Sequence, residues 1–264
     1  VVCMSEKNTF LCATLEYIVG DTMLSGLLLT MIISWLIAFF GVLQFWLYIK
    51  NQDYKLHSSV SQSFSLLWLS IGGILFFTGL NHLCVWLVWT DGAYAMLYIA
   101  QTILGLTLVL GCWHLMGRLF HSLRALSFVM WVYAIAALAF WFMLFRFGFE
   151  SMQVTYFSVQ AALNHPARII YTVMFAPLFG IVLYGLVRSL RTFALRQSLE
   201  DPRLRFELLS GLSLLVLALA GTMDELSLTY DWATAIARLC TLVGAMLAYF
   251  AIAGLRVPTE ELVV

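Results

Sequence analysis

Seven stretches of this chain are long and apolar, and between them there is little else. They run over about residues 23–49, 64–90, 94–117, 122–147, 167–190, 205–228 and 232–255. A helix that crosses a bilayer needs roughly 20 mostly apolar residues, and each stretch meets that length. A soluble packing of the same helices is excluded by charge. Only 11% of the 264 residues are Asp, Glu, Lys or Arg, against 62% apolar, whereas a soluble domain carries about 25% charged residues. So few charges cannot build a water-facing shell around a core of this size. Lipid as solvent removes the need for one.

The breaks carry turn or charge signals: Asn51-Gln52-Asp53, Asp91-Gly92, Arg118 to Arg124, Gly148 to Pro166, Arg191 to Pro202, and Thr229 to Asp231. Basic residues then orient the chain. Lys50, Lys55, Arg118, Arg124, Arg188, Arg191, Arg196, Arg203, Arg205 and Arg256 all fall on one side of a seven-span arrangement. Lys7, Arg146 and Arg168 fall on the other, and Arg238 lies within a span. Loops rich in Lys and Arg stay in the cytoplasm, so the N-terminus is expected outside and the C-terminus inside. A count of six or eight spans scatters this segregation.

The expected fold class is therefore all-α. It is a seven-helix transmembrane bundle over residues 23–255, with an extracytoplasmic segment at 1–22 and a cytoplasmic tail at 256–264. The expected location is the plasma (inner) membrane, with the lipid bilayer as the first partner. A net charge of zero implies no attraction to nucleic acid. Cys3 and Cys12 face an oxidising space in this arrangement, where a disulfide and two free thiols are both open. Residues 148–166 mix aromatic and polar groups and read as an interfacial helix or a plain loop. The chain begins with Val1, so either a leader was removed or the stretch begins inside a longer product.

Ionisable groups within spans are costly and are functional candidates. With a rise of 1.5 Å per residue, His82 lies about 12 Å below the outer surface, Gln101 about 10 Å and Arg238 about 9 Å. Asp224 and Glu225 lie about 5–6 Å deep. Asn81, Tyr98 and Thr78 fall near the same layer. Helical spacing places Ser210, Ser213, Gly221 and Asp224 on one stripe. Thr234, Arg238 and Thr241 form another, continued by Ala245 and Ala248. Tyr98, Gln101, Gly105 and Cys112 form a third. Small and polar stripes face other helices. The candidate ligand-binding set is His82, Gln101, Asp224, Arg238, Asn81 and Tyr98. Two readings of Arg238 stand: a pair with Asp224 or Glu225 that glues two helices, or part of an outward-facing pocket.

His114 lies about 30 Å from the outer surface, about 18 Å deeper than His82, so the two cannot share a metal. With Arg118 and His121 it reads as a headgroup-facing basic edge. The only lysines are Lys7, Lys50 and Lys55, so no late span offers a Schiff base to retinal. No phosphate loop, HExxH or nucleophile elbow is present. No catalytic residue, metal or cofactor is expected. Pro177, within FAPLFG, is expected to kink the fifth span.

The run FFTGLNHLCVWLVWTDGAYAMLYIAQTILGLTLVLGCWHLMGRL at 76–119 resembles the second and third helices of the ethylene-receptor type of membrane sensor domain. Thr78-Gly79-Leu80-Asn81-His82-Leu83 stands where that family has its Cys-Gly-x-x-His-Leu element, with Trp86 and Trp89 following. Ala100-Gln101 stands where the family has Ala-Lys, and IAFFGVLQFWLYIK at 37–50 resembles the end of its first helix. Thr78 replaces the cysteine that joins the histidine in binding copper(I), and Cys84 points to another face. What the resemblance implies is a sensor.

The functional expectation is a non-enzymatic sensor or receptor domain. It binds a small molecule in the outer half of the bundle and signals to a cytoplasmic output or partner. Arg256 to Glu261 mark where an output module would begin. The alternatives are an accessory subunit of a larger membrane complex, whether partnered or homodimeric, and then a transporter.

Overall fold

In lipid every backbone polar group must be satisfied within the chain, and a run of apolar residues does so as a helix. The computed structural model describes residues 21–50, 59–119, 123–196, 202–226 and 230–254. It contains α1 (Asp21–Lys50), α2 (Ser59–Trp86), α3 (Thr90–Leu119) and α4 (Leu123–Phe147). It continues with β1 (Phe149–Val154), β2 (Val159–Leu163), α5 (His165–Arg196), α6 (Pro202–Leu226) and α7 (Asp231–Ala253). All seven helices are long and apolar enough to cross a membrane. The protein is an integral membrane helical bundle. Cys3, Cys12, the tail from 255 and His121 lie outside the described residues, as do the side chains of Arg118, Asp224 and Glu225.

The helices close into a ring. α2 packs on α1 and α3, α7 on α6 and α1, and α5 bridges α4 and α6 while also touching α3. The seam between α1 and α2 is tight because small residues meet there: Gly72 faces Ala38 and Gly41, and Gly41 faces the backbone of Trp68. Small residues let helix backbones approach closely, which is the main source of packing energy between helices in lipid. Trp68 and Phe64 are fully buried at the centre of the ring. The Trp68 indole N–H donates to Ser213 Oγ at 3.1 Å. Gly244 of α7 lies against the Trp68 ring, so α2, α6 and α7 converge on one side chain. The outer surface carries Leu28, Phe39, Phe128, Trp131, Phe142 and Val173, all well exposed, as a lipid-facing surface requires.

Three expectations are corrected. Residues 149–163 form neither an interfacial helix nor a plain loop but an antiparallel hairpin, paired from Phe149↔Leu163 to Val154↔Val159 with an irregularity near Glu150. Extended structure suits its β-branched and aromatic residues, Phe149, Val154, Thr155 and Val159. Pairing of the strands satisfies the backbone where the hairpin dips into the bundle. Second, the turn between α2 and α3 falls at Leu87–Trp89, a few residues before Asp91-Gly92. Val88 sits at φ 57°, a left-handed conformation that ends a helix and is strained for a β-branched residue. Third, His114 does not face headgroups. It is fully buried, with Nδ1 3.0 Å from Ser63 Oγ and 3.1 Å from the Val60 carbonyl. Its ring packs on Phe64 at 5.2 Å. It is a link between α3 and α2. α5 runs unbroken through Pro177.

Candidate functional site

The hairpin roofs one end of the ring, and its position follows from how it is anchored. Gly148, at φ +69°, turns the chain out of α4 in a conformation that only glycine adopts without strain. Asn164 then ties three elements together. Its Nδ2 donates to the Gly148 carbonyl at 2.7 Å and the Met143 carbonyl at 3.2 Å, and its Oδ1 accepts from the Ala167 N–H at 2.9 Å. That last bond caps the start of α5. Between these anchors the strands project inward. The tip, Thr155–Ser158, is closed by the Thr155 N–H to the Ser158 carbonyl at 2.8 Å.

Two helices latch the tip. The Thr30 hydroxyl donates to the Phe157 carbonyl at 2.7 Å, and the Ser25 and Tyr156 hydroxyls lie 3.0 Å apart. On the other side, Ser158 Oγ lies 3.4 Å from Thr234 Oγ1. Gly26 allows this approach, because any side chain there would overlap Tyr156.

Beneath the hairpin lies a cavity of about 320 Å³ lined by α2, α3, α5, α6 and α7. Its upper wall is Ser158, Val159 and Ala162 of the hairpin, and its far walls are apolar, with Ile74, Leu104 and Leu217 among them. The polar groups are few. Arg238 brings the positive charge of α7, and Arg168 stands at the rim, 3.9 Å from Glu150 and bonded to the Leu163 carbonyl at 3.3 Å. Gln101 brings an amide from α3, and its buried Oε1 has no hydrogen-bond partner among the described residues.

Four threonines complete the lining, Thr234 beside the hairpin tip among them. Thr78, Thr107 and Thr241 each donate back to their own helix, to the Ile74, Ile103 and Ala237 carbonyls at 2.7–2.8 Å. Thr107 also lies 3.0 Å from Ser70 Oγ. With their protons engaged, these hydroxyls offer oxygen acceptors to the cavity. The arrangement is a cation facing acceptors within apolar walls, the usual composition of a small-molecule site. Among the described residues no group of three His, Cys, Asp or Glu side chains is placed to hold a metal.

The candidate set divides. Gln101 and Arg238 line the cavity together. His82 lines a separate groove between α1 and α2 with Leu27, Met31 and Trp86. Asn81 is fully buried beside it in sequence and is not on the cavity wall; neither of its amide atoms has a hydrogen-bond partner among the described residues. Tyr98 stacks on Phe145 at 5.9 Å and packs on Phe149 at 4.8 Å, so it supports the base of the hairpin. Asp224 belongs to α6, but its side chain and that of Glu225 lie outside the described residues, which leaves the expected pair with Arg238 outside them too. The residues that sequence reasoning missed are those of the hairpin, together with Arg168, Tyr171 and Thr107. Thr234 and Thr241 were already marked by their stripe with Arg238. Comparison with protein-family models, with curated proteins and with solved structures finds no match for this chain.

Proposed function

We propose that this chain is a membrane-embedded sensor or receptor domain. It binds a small polar or anionic molecule in the cavity beneath the hairpin and passes the event to the opposite end of the bundle. The observation that carries this reading is the convergence of Arg238, Gln101 and the threonine oxygens on one cavity with a latched roof. The segregation of ten of the fourteen Lys and Arg residues supports an N-terminus outside and a cytoplasmic C-terminus. The cavity then lies towards the outer face of the plasma membrane. α6 and α7 both line the cavity and run to the far end, so a shift between them is the route inward. The resemblance of residues 76–119 to ethylene-receptor-type sensors supports the same reading.

The test is a screen of small carboxylates, sugars and amines against the thermal stability of the protein in nanodiscs. Compounds that stabilise the wild type and fail to stabilise both Leu217→Trp, which fills the cavity, and Arg238→Leu support the proposal. Both variants must keep wild-type helicity. A screen in which no compound shows that dependence refutes it.

A second reading, an accessory subunit of a larger membrane complex, draws on α4. That helix presents Phe128, Trp131, Ile135, Phe142 and Phe145 along one exposed face. Recovery of a fixed partner after mild detergent extraction, lost in Trp131→Ala with Phe142→Ala, favours it.

A further inference from the structure

The groove beside His82 is built differently from the cavity and points to a different ligand. It encloses about 210 Å³ between α1 and α2, and its walls are Ser25, Leu27, Leu28, Met31, His82 and Trp86. No residue of the groove wall is formally charged. Leu28 and Trp86 are half exposed, 48% and 52%, on the lipid-facing side, while Leu27, Met31 and His82 are buried at 5%, 9% and 1%. The groove therefore opens sideways into the bilayer and deepens towards His82. Ser25, at its mouth, is engaged with Tyr156.

His82 is the unusual member. Neither ring nitrogen has a hydrogen-bond partner among the described residues. A neutral imidazole carries one donor and one acceptor, and leaving both unused in a buried position is costly. Such a residue in an apolar site is the arrangement expected where a ligand supplies the missing partner.

We propose that this groove binds an uncharged, lipid-soluble, single-ring compound bearing a carbonyl or hydroxyl group, which enters from the bilayer and hydrogen-bonds to His82. Each part of the class follows from the wall. The ligand is uncharged, because no wall residue carries a formal charge to pair with a desolvated ion. It is flat, because the Trp86 indole lines the groove and aromatic pairs stack with offset. It carries an oxygen, because His82 needs one. The volume suits one substituted ring and is too small for a phospholipid. The site is separate from the cavity, so it stands or falls independently of the sensor reading.

Duroquinone and durene make the test. They share a tetramethylated ring and differ in the two carbonyl oxygens. Binding of each is measured by titration against the full chain in nanodiscs, with empty nanodiscs as the blank. The proposal expects saturable duroquinone binding about tenfold tighter than durene, the worth of one hydrogen bond to a buried partner. In His82→Leu the two probes bind alike, and in Met31→Trp, which fills the groove, both are lost. Leu217→Trp, in the cavity, leaves duroquinone binding unchanged. Met31→Trp and Leu28→Trp keep the test open if His82→Leu does not fold. Equal binding of the two probes to the wild type overturns the proposal, as does duroquinone binding that survives Met31→Trp and Leu28→Trp.

Discussion

The contact between α1 and α2 is close enough for a single added methyl group to push the helices apart. A Cβ built on Gly41 lies 2.8 Å from the carbonyl oxygen of Trp68, and Gly72 Cα is 3.5 Å away. The first of these is backbone against side-chain stem, with no flexible group to yield. Ordinary contact begins near 3.4 Å, so Gly41→Ala must push the two helices apart by roughly half an ångström. Overpacking of this kind costs about 1–3 kcal/mol. Alanine returns about 0.5–1 kcal/mol through helix propensity. The balance is a loss of about 0–2.5 kcal/mol, centred a little above 1 kcal/mol, or roughly a five- to tenfold fall in the folded-to-unfolded ratio.

Gly180 in α5 supplies the control, because nothing lies within 4 Å of a Cβ there. Gly180→Ala keeps the propensity gain without the clash and should be stabilised by up to about 1 kcal/mol. Equilibrium unfolding in mixed micelles with increasing SDS, followed by helical circular dichroism, reads both variants against the wild type. The expected order is Gly180→Ala, wild type, Gly41→Ala. If Gly41→Ala equals or exceeds Gly180→Ala, the close crossing of α1 and α2 is wrong, and with it the wall of the His82 groove.

Three further outcomes follow from particular bonds. Thr30→Val keeps the shape of the side chain and removes the hydroxyl that holds Phe157, a loss of about 1 kcal/mol; amide exchange over 149–163 should quicken about fivefold while the helix centres stay unchanged, and uniform exchange throughout would refute the latch. Asn164→Ala removes the cap of α5 and both bonds to the end of α4; it should destabilise by about 1–2 kcal/mol, and a melting temperature equal to the wild type would show that the anchor is idle. Ser213→Ala deprives the buried Trp68 indole of its acceptor and should cost about 1–2 kcal/mol, with a shifted near-ultraviolet tryptophan signal; an unchanged signal would separate α6 from Trp68.

The sequence by itself determines that this is a membrane protein and that seven helices are long and apolar enough to cross. Both follow from a free-energy scale that acts locally: apolar runs prefer lipid, and a backbone in lipid must become helix. The stripes with Arg238, Thr234 and Thr241 or with Ser210 and Ser213 were legible for a related reason, since helical periodicity puts them on one face and only a neighbouring helix can receive them. Depth counting also placed Gln101 and Arg238 in one layer.

What depth cannot supply is azimuth. Depth counting puts His82 and Gln101 in one layer, yet His82 lines the α1–α2 groove and Gln101 the cavity beneath the hairpin. That division depends on how each helix is rotated against its neighbours, and many distant contacts set the rotation. The hairpin shows the same limit. The extended preference of Phe149, Val154, Thr155 and Val159 is too weak to decide the structure alone, and the hairpin holds as strands because Asn164, Thr30 and Thr234, far apart in the chain, meet it where it enters the bundle. His114 was misjudged because position near a helix end says nothing about which face looks outward. Only the packing of α3 on α2 placed it against Ser63 and Phe64.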